Sequence, residues 1–152
     1  MKKNVKKKKT ILVLEDERPL LEAITAKLQK SGFGVTTARS VEQAFNAKLD
    51  GNGEGVLTVD SLARAIQYLE ELEQIDAVWL DHSLLGDEDG LDFVKKFKGN
   101  GGEWKKIPVF VVSNNENNTT VKAYMSAGVS KYYIKSNHRL DEIVKDIDRS
   151  LQ

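Results

Sequence analysis

The chain contains no cysteine, which excludes a disulfide framework and a thiolate metal site. Long apolar runs are also missing, and no stretch approaches the roughly 20 apolar residues that a membrane-spanning helix needs. The N-terminus is basic, but no apolar segment precedes Thr10, so the pattern is not that of a secretory signal peptide. From these absences we expect a cytoplasmic protein without membrane contact.

Net charge is absent as well, because 23 Lys and Arg residues balance 23 Asp and Glu residues. Six of the lysines lie within residues 1–9, which leaves 17 bases against 23 acids, a balance of −6, for the rest of the chain. We interpret residues 1–9 as a basic disordered tail. An arm that touches nucleic acid or anionic lipid is the alternative. No aromatic residue lies among these lysines to stack on bases, so direct DNA binding is not expected.

Short apolar runs alternate with segments of helical period along the remaining chain. The runs predict strands at residues 11–14, 34–38, 76–80, 107–112 and 132–134. Apolar residues at helical spacing predict helices at residues 20–28, 41–49, 91–97, 121–127 and 140–151. Five such alternations predict one α/β domain over residues 10–152, a parallel sheet with helices on both faces. Residues 50–74 are surplus to the alternation, and we interpret them as an inserted or enlarged helical segment.

Polar residues follow four of the predicted strands. Glu15 and Asp16 follow the first strand, Asp81 the third, Ser113 the fourth and Lys135 the fifth. Ligands of parallel sheets bind beyond the carboxyl ends of the strands, so these side chains should converge on one rim. Carboxylates packed together repel each other, and Mg²⁺ relieves that conflict because it accepts carboxylate, water and phosphate oxygens. The lysine and the hydroxyl would then face a phosphoryl group.

Together, residues 11–17, 78–81, 109–113 and 132–135 resemble the receiver domain of two-component response regulators. The resemblance extends from Thr10 to about Leu151. It implies a flavodoxin-like, doubly wound five-stranded parallel sheet with the strand order 2-1-3-4-5. It also implies a signalling protein that catalyses only its own phosphorylation and autodephosphorylation. Its partners would be a sensor histidine kinase or histidine phosphotransfer protein and a downstream effector protein.

The resemblance assigns the metal and acceptor positions. Asp81 corresponds to the phosphoacceptor. Glu15 and Asp16 correspond to the acidic pair that, with Asp81, holds Mg²⁺ or Mn²⁺, Asp16 directly and Glu15 through water. The backbone carbonyl of Ser83 corresponds to the remaining protein ligand.

The same resemblance assigns the switch positions. Lys135 corresponds to the lysine that pairs with the phosphoryl group, and Ser113 to the switch hydroxyl that bonds it. Tyr132 corresponds to the switch aromatic that turns inward on activation. Ser83 and Asn115 occupy positions that tune hydrolysis of the acyl phosphate, and we expect a moderate autodephosphorylation rate.

Three residues depart from the pattern that this family usually shows. Ser136 follows Lys135 where proline is usual, which removes the usual support for a cis peptide there. Leu85 stands where a proline is usual after the acceptor, and Asn114 replaces a commonly small residue. None of these changes removes a group that the chemistry needs.

Other functions stay open at this point. A receiver-like binding scaffold that no longer accepts phosphate would suit Ser136 and the surplus segment. A hydrolase of the haloacid-dehalogenase type also uses an Asp nucleophile and Mg²⁺, but it needs a second Asp where this chain has Ser83. Residues 50–61 imitate an EF-hand calcium loop, but Ser61 stands where a glutamate is needed, so a Gly-rich turn is the better interpretation.

The histidines and tryptophans of the chain do not form an obvious site. His82 and His138 lie on separate elements, so we expect exposed loop residues, although His82 beside the acceptor could tune access. Trp79 and Trp104 are expected to be packing residues.

Overall fold

The structure is a computed structural model and describes residues 9–38, 75–99 and 102–152. The strands are β1 Thr10–Leu14, β2 Gly34–Ala38, β3 Ala77–Leu80, β4 Val109–Ser113 and β5 Lys131–Ile134. The helices are α1 Arg18–Lys30, α2 Gly90–Gly99, α3 Asn118–Ser126 and α4 Leu140–Ser150, with 3₁₀ helices at Gly102–Lys106 and Lys135–Asn137. None of the described helices is long and apolar enough to cross a membrane.

Several predicted features lie outside the described residues. These are the basic tail up to residue 8, the helix at residues 41–49, and the segment 50–74 with its calcium-like turn. Lys9, the last residue of the predicted tail, is described: its carbonyl accepts a hydrogen bond from the Gly34 amide at 2.9 Å.

All strand pairs of the sheet are parallel, and the strand order is β2-β1-β3-β4-β5. The predicted order 2-1-3-4-5 is therefore confirmed. β1, β3, β4 and β5 are consecutive neighbours, so their carboxyl ends form one continuous edge. The Asp81 amide donates to the Leu14 carbonyl at 2.9 Å, which ties the residue after β3 to the end of β1.

The central strands β1, β3 and β4 are almost entirely apolar and buried because both faces of the sheet are covered. Alternate residues point to opposite faces and form two separate cores. One core lies under α2 and α3 and includes Leu12, Leu14, Val78, Leu80, Val109, Val111, Phe93, Phe97 and Tyr124. The other lies under α1 and α4 and includes Ile11, Val13, Trp79, Phe110, Val112, Ile24, Leu28, Ile143 and Ile147. The predicted helices on both faces are thus confirmed.

The helix ends follow local rules. Gly32 and Gly128, just after α1 and α3, adopt φ angles of +96° and +100°, a conformation that suits glycine. The Asp89 and Asp92 side chains each accept the other's amide at 2.9 Å, a reciprocal cap that starts α2. The Asn117 side-chain oxygen accepts hydrogen bonds from two amides of the first turn of α3, at 2.9 and 3.3 Å.

The two tryptophans are packing residues, as expected. Trp79 is fully buried in β3, and Trp104 is buried in the first 3₁₀ helix. Trp104 stacks on Phe97 with ring centroids 4.9 Å apart, which fastens the 3₁₀ helix to α2.

Candidate functional site

Three carboxylates meet where β1 and β3 end. Glu15 and Asp16 follow β1, Asp81 follows β3, and one oxygen of each lies within 4.8 Å of the others. Leu14 and Leu80 are register partners, so the residues that follow them leave the sheet side by side. Glu15 is fully buried, Asp81 is 5% exposed and Asp16 is half-buried. The strand pairing thus brings together the predicted acidic pair and the predicted acceptor.

Lys135 reaches this cluster from the end of β5. Its Nζ donates to Glu15 Oε1 at 2.8 Å and lies 3.4 Å from Asp81 Oδ2. Burial lowers the pKa of Lys135, but the hydrogen bond to Glu15 and the charge of Asp81 outweigh that effect and raise it. Lys135 is therefore protonated, and it places one positive charge against two acids from different strands.

Glu15 has a raised pKa, because it is buried beside other carboxylates. Burial, together with the charge of Asp81, raises the pKa of Glu15 to about 7, although hydrogen bonds from Lys135 and the Glu17 amide lower it. One lysine thus leaves the three carboxylates with excess negative charge. A hard divalent cation removes such an excess, so the donor set fits Mg²⁺ or Mn²⁺.

The two oxygens of Asp81 face different partners. The His82 amide donates to Oδ1 at 2.8 Å, whereas Oδ2 faces Lys135. Gly90 closes the loop between Asp81 and α2, because its amide donates to the His82 carbonyl at 2.8 Å. A Cβ atom at Gly90 would lie only 2.5 Å from the Asp81 carbonyl oxygen, so α2 can begin here only with glycine.

Ser113, Asn115 and Tyr132 form a connected group beside the acids. Ser113 is only 3% exposed, and its hydroxyl accepts a hydrogen bond from the Asn115 amide at 3.2 Å. The Tyr132 hydroxyl donates to the Asn115 carbonyl at 2.7 Å. Burial raises the pKa of Tyr132, while a hydrogen bond from Ser113 lowers it. Tyr132 is half-buried and packs against the core under α2 and α3.

Ser136 and Asn114, which both depart from the usual receiver pattern, contact each other. The Ser136 amide donates to Asn114 Oδ1 at 3.2 Å, and the Lys135–Ser136 peptide is trans. A proline at position 136 would have no amide hydrogen to donate. The hydrogen bond therefore joins the loop after Ser113 to the loop that carries Lys135.

The remaining predicted site residues lie at the rim. Ser83 is exposed in the loop two residues after Asp81. Asn115 is half-buried, and its side-chain oxygen accepts the Asn117 amide at 3.0 Å, which aligns the loop for the start of α3.

Sequence reasoning missed the contact between His82 and Tyr124. His138 is exposed as expected, but the expectation that His82 is an exposed loop residue is wrong, since its side chain is 19% exposed. His82 Nδ1 lies 2.6 Å from the hydroxyl of the fully buried Tyr124. The helical period predicts that Tyr124 is buried, but no signal in the sequence connects its hydroxyl to a residue 42 positions away.

Comparison with known proteins gives two kinds of likeness and one negative result. A family model described as the response regulator receiver domain matches residues 46–148. That range includes Asp81, Ser113 and Lys135 but excludes Glu15 and Asp16, which the pairing of β1 with β3 brings to the site. No curated protein matches the chain.

Solved structures agree in fold over almost the whole chain. The phosphorylated cyanobacterial phytochrome response regulator RcpA is 23% identical with a TM-score of 0.71, over 95% of this chain and 94% of that chain. A CheY-like receiver domain protein of Methanospirillum hungatei is 16% identical with a TM-score of 0.70, over 95% and 94%. Chemotaxis protein CheY4 of Vibrio cholerae is 16% identical with a TM-score of 0.70, over 94% and 98%. The family model matches more than half of this chain, so the chain belongs to the response regulator receiver domain family.

Proposed function

We propose that the protein is a phosphoacceptor response regulator in which Asp81 accepts a phosphoryl group from a phosphohistidine in the presence of Mg²⁺ or Mn²⁺. One observation carries the proposal: Asp81 lies both within the three-carboxylate cluster and 3.4 Å from the Lys135 ammonium. A nucleophile, a set of metal ligands and a fixed positive charge thus share one small site. Phosphoryl transfer requires positioning and charge neutralisation of this kind.

The metal ligands follow from the bonds that the acids already make. Both oxygens of Glu15 accept hydrogen bonds, one from Lys135 and one from the Glu17 amide at 3.2 Å. We therefore assign Asp16 and Asp81 as direct carboxylate ligands and Glu15 as a ligand through water, with the Ser83 backbone carbonyl as a further ligand. The bound cation would supply positive charge next to the phosphoryl oxygens.

The chain's own residues divide the transfer between them. The His82 amide holds Asp81 Oδ1, so we assign the attack to Oδ2. The bond from Oδ2 to phosphorus forms while the phosphorus–nitrogen bond of the donor breaks, and the released imidazole keeps its electron pair. Lys135, which faces Oδ2, then shields the added negative charge.

The switch would run through Ser113 and Tyr132. Phosphorylation replaces the single negative charge of the Asp81 carboxylate with a phosphoryl group that carries about −1.5 to −2 charge, and its oxygens attract the Ser113 hydroxyl. A movement of Ser113 would break its contact with the Asn115 amide and disturb the Tyr132 bond to the Asn115 carbonyl. The protein-binding face formed by α3, β5 and α4 would change as a result. Ser83 and Asn115, at the rim, would set how readily water hydrolyses the product.

The partners in this proposal are proteins. The donor is a sensor histidine kinase or a histidine phosphotransfer protein, and the output is binding of a downstream effector protein rather than DNA. The protein catalyses only its own phosphorylation and autodephosphorylation, and the cytoplasmic location expected from the sequence belongs to the same proposal.

Intact-mass measurement after incubation with acetyl phosphate and Mg²⁺ tests the proposal. We expect the wild-type chain to gain the mass of one phosphoryl group, and hydroxylamine to remove it. Asp81→Asn should abolish the gain, whereas Asp87→Asn, which changes an exposed acid of the same loop, should retain it. A wild-type chain that gains no mass would favour the non-phosphorylated scaffold, and a gain retained in Asp81→Asn would place the acceptor elsewhere.

A further inference from the structure

We propose that Tyr124 is a positioning residue for the acceptor: its buried hydroxyl holds His82 in place and, through the His82 backbone, orients the Asp81 carboxylate. The inference rests on the proposed function, because it concerns the reactivity of Asp81. It adds a polar contact between α3 and the acceptor loop that is distinct from the hydrogen bonds of the Ser113 and Tyr132 group.

His82 is held at three points. Its amide donates to Asp81 Oδ1 at 2.8 Å, its carbonyl accepts the Gly90 amide at 2.8 Å, and its ring Nδ1 lies 2.6 Å from the Tyr124 hydroxyl. A hydroxyl can donate to a ring nitrogen or accept from it, so the ring contact holds in either tautomer. Because the amide and the ring belong to one residue, releasing the ring would remove one of the three restraints on the residue whose amide orients Asp81.

Tyr124 is well placed to act as the fixed end of this link. Tyr124 belongs to α3, and its side chain is fully buried in the core that α2 and α3 cover, so its hydroxyl cannot turn to water without opening that core. Burial raises the pKa of Tyr124, which keeps the hydroxyl protonated at neutral pH. Its ring also packs against Tyr132 with centroids 5.6 Å apart, so the same residue contacts the acceptor side and the switch side.

Gly90 supplies independent support for a specific hydroxyl position. A Cβ atom at Gly90 would lie 2.5 Å from the Tyr124 hydroxyl oxygen. The space beside His82 is thus filled by that oxygen, and the start of α2 is shaped around it.

Tyr124→Phe separates positioning from packing, because phenylalanine keeps the ring and removes only the hydroxyl. Tyr133→Phe is the matched control: its hydroxyl donates to Asp146 at 3.0 Å on the face covered by α1 and α4. We expect Tyr124→Phe to slow phosphorylation by acetyl phosphate about fivefold, the effect of one lost hydrogen bond, and Tyr133→Phe to change it by less than about twofold. Amide hydrogen exchange at His82 and Gly90 should accelerate in Tyr124→Phe alone.

A double variant tests whether the effect passes through the histidine. His82→Phe removes the ring nitrogen, so adding Tyr124→Phe to it should cause little further slowing. The inference is overturned if the wild type is phosphorylated but Tyr124→Phe leaves the phosphorylation rate unchanged, or slows it only as much as Tyr133→Phe does. The proposed function would still stand in that case. A wild type that takes no phosphoryl group overturns the proposed function itself, and the exchange rates then report the His82 contact separately.

Discussion

The Lys135 ammonium lies 2.8 Å from Glu15 Oε1 and 3.4 Å from Asp81 Oδ2, so one cation links acids that follow two different strands. Glu15 is fully buried, and burial makes its unpaired charge costly. The lysine thus has two consequences that can be measured apart: it stabilises the folded chain through Glu15, and it neutralises charge at Asp81.

Lys135→Ala should affect both reactivity and stability. We expect phosphorylation by acetyl phosphate to become at least about tenfold slower, because the fixed charge beside Oδ2 is lost. In metal-free buffer at pH 8, the unfolding free energy should fall by about 3 kcal/mol, the cost of leaving a buried carboxylate unpaired. At pH 5 the loss should be smaller, because Glu15 is then protonated. Urea unfolding at the two pH values measures the difference.

Lys131→Ala provides the control for that experiment. Lys131 pairs with Asp146 at 3.3 Å on the surface, so its loss should cost less than about 1 kcal/mol at either pH. Equal losses of stability for the two variants at pH 8 would contradict the assigned role of the Lys135–Glu15 pair.

The pKa of Glu15 predicts how stability varies with pH in metal-free buffer. Its folded pKa of about 7 exceeds the ordinary 4.5, so between these values the folded state binds more protons than the unfolded state. The unfolding free energy should therefore decrease as pH rises from 4.5 to 7, by about 3 kcal/mol at most. Glu15→Gln should remove this slope, and excess Mg²⁺ should reduce it.

Glu17→Gln is the matched control for the pH experiment, because Glu17 is an exposed acid two residues away. Its slope should equal that of the wild type. The test is the difference in unfolding free energy between the wild type and Glu15→Gln. If this difference rises between pH 4.5 and 7, ionisation of Glu15 does not destabilise the folded chain.

Gly90→Ala should be strongly destabilising. The new Cβ would lie 2.5 Å from both the Asp81 carbonyl oxygen and the Tyr124 hydroxyl oxygen, and the backbone oxygen cannot move without shifting the site. We expect a loss of about 3 kcal/mol, at the upper end for overpacking. Gly99→Ala, at the other end of α2, meets no atom within 4 Å and should be neutral or stabilising by up to about 1 kcal/mol. Thermal or urea unfolding of the two variants compares them, and similar losses would contradict the close packing at Gly90.

The hydrogen bond from the Ser136 amide to Asn114 predicts that alanine and proline at position 136 have different effects. Because the donor is the backbone amide, Ser136→Ala should leave the bond intact, whereas Ser136→Pro removes the donor. Asn114→Ala should therefore cost about 0.5 kcal/mol in the wild type and in Ser136→Ala, but nothing in Ser136→Pro. Urea unfolding of the double-mutant cycle measures this coupling, and an equal cost in all three backgrounds would show that the bond contributes nothing.

Much of the fold follows from local patterns. Apolar runs mark β1, β3 and β4, which are buried on both faces, and Gly32 and Gly128 mark the ends of two helices. The candidate acids and Lys135 could be identified because each follows a strand, and parallel strands present their carboxyl ends at one edge. The strand order came from resemblance, because alternation of strands and helices alone leaves the order undetermined.

Side-chain partners depend on how the elements pack. The helical spacing of apolar residues predicts that Tyr124 is buried, but burial of the ring does not specify which group its hydroxyl contacts. The His82 contact forms only because α2 and α3 pack on the same face of the sheet and Gly90 leaves room. The full burial of Glu15 and the bond between Asn114 and Ser136 arise in the same way. Periodicity records which face of an element avoids water, whereas hydrogen bonds between distant residues require the three-dimensional arrangement that brings two polar atoms within about 3 Å.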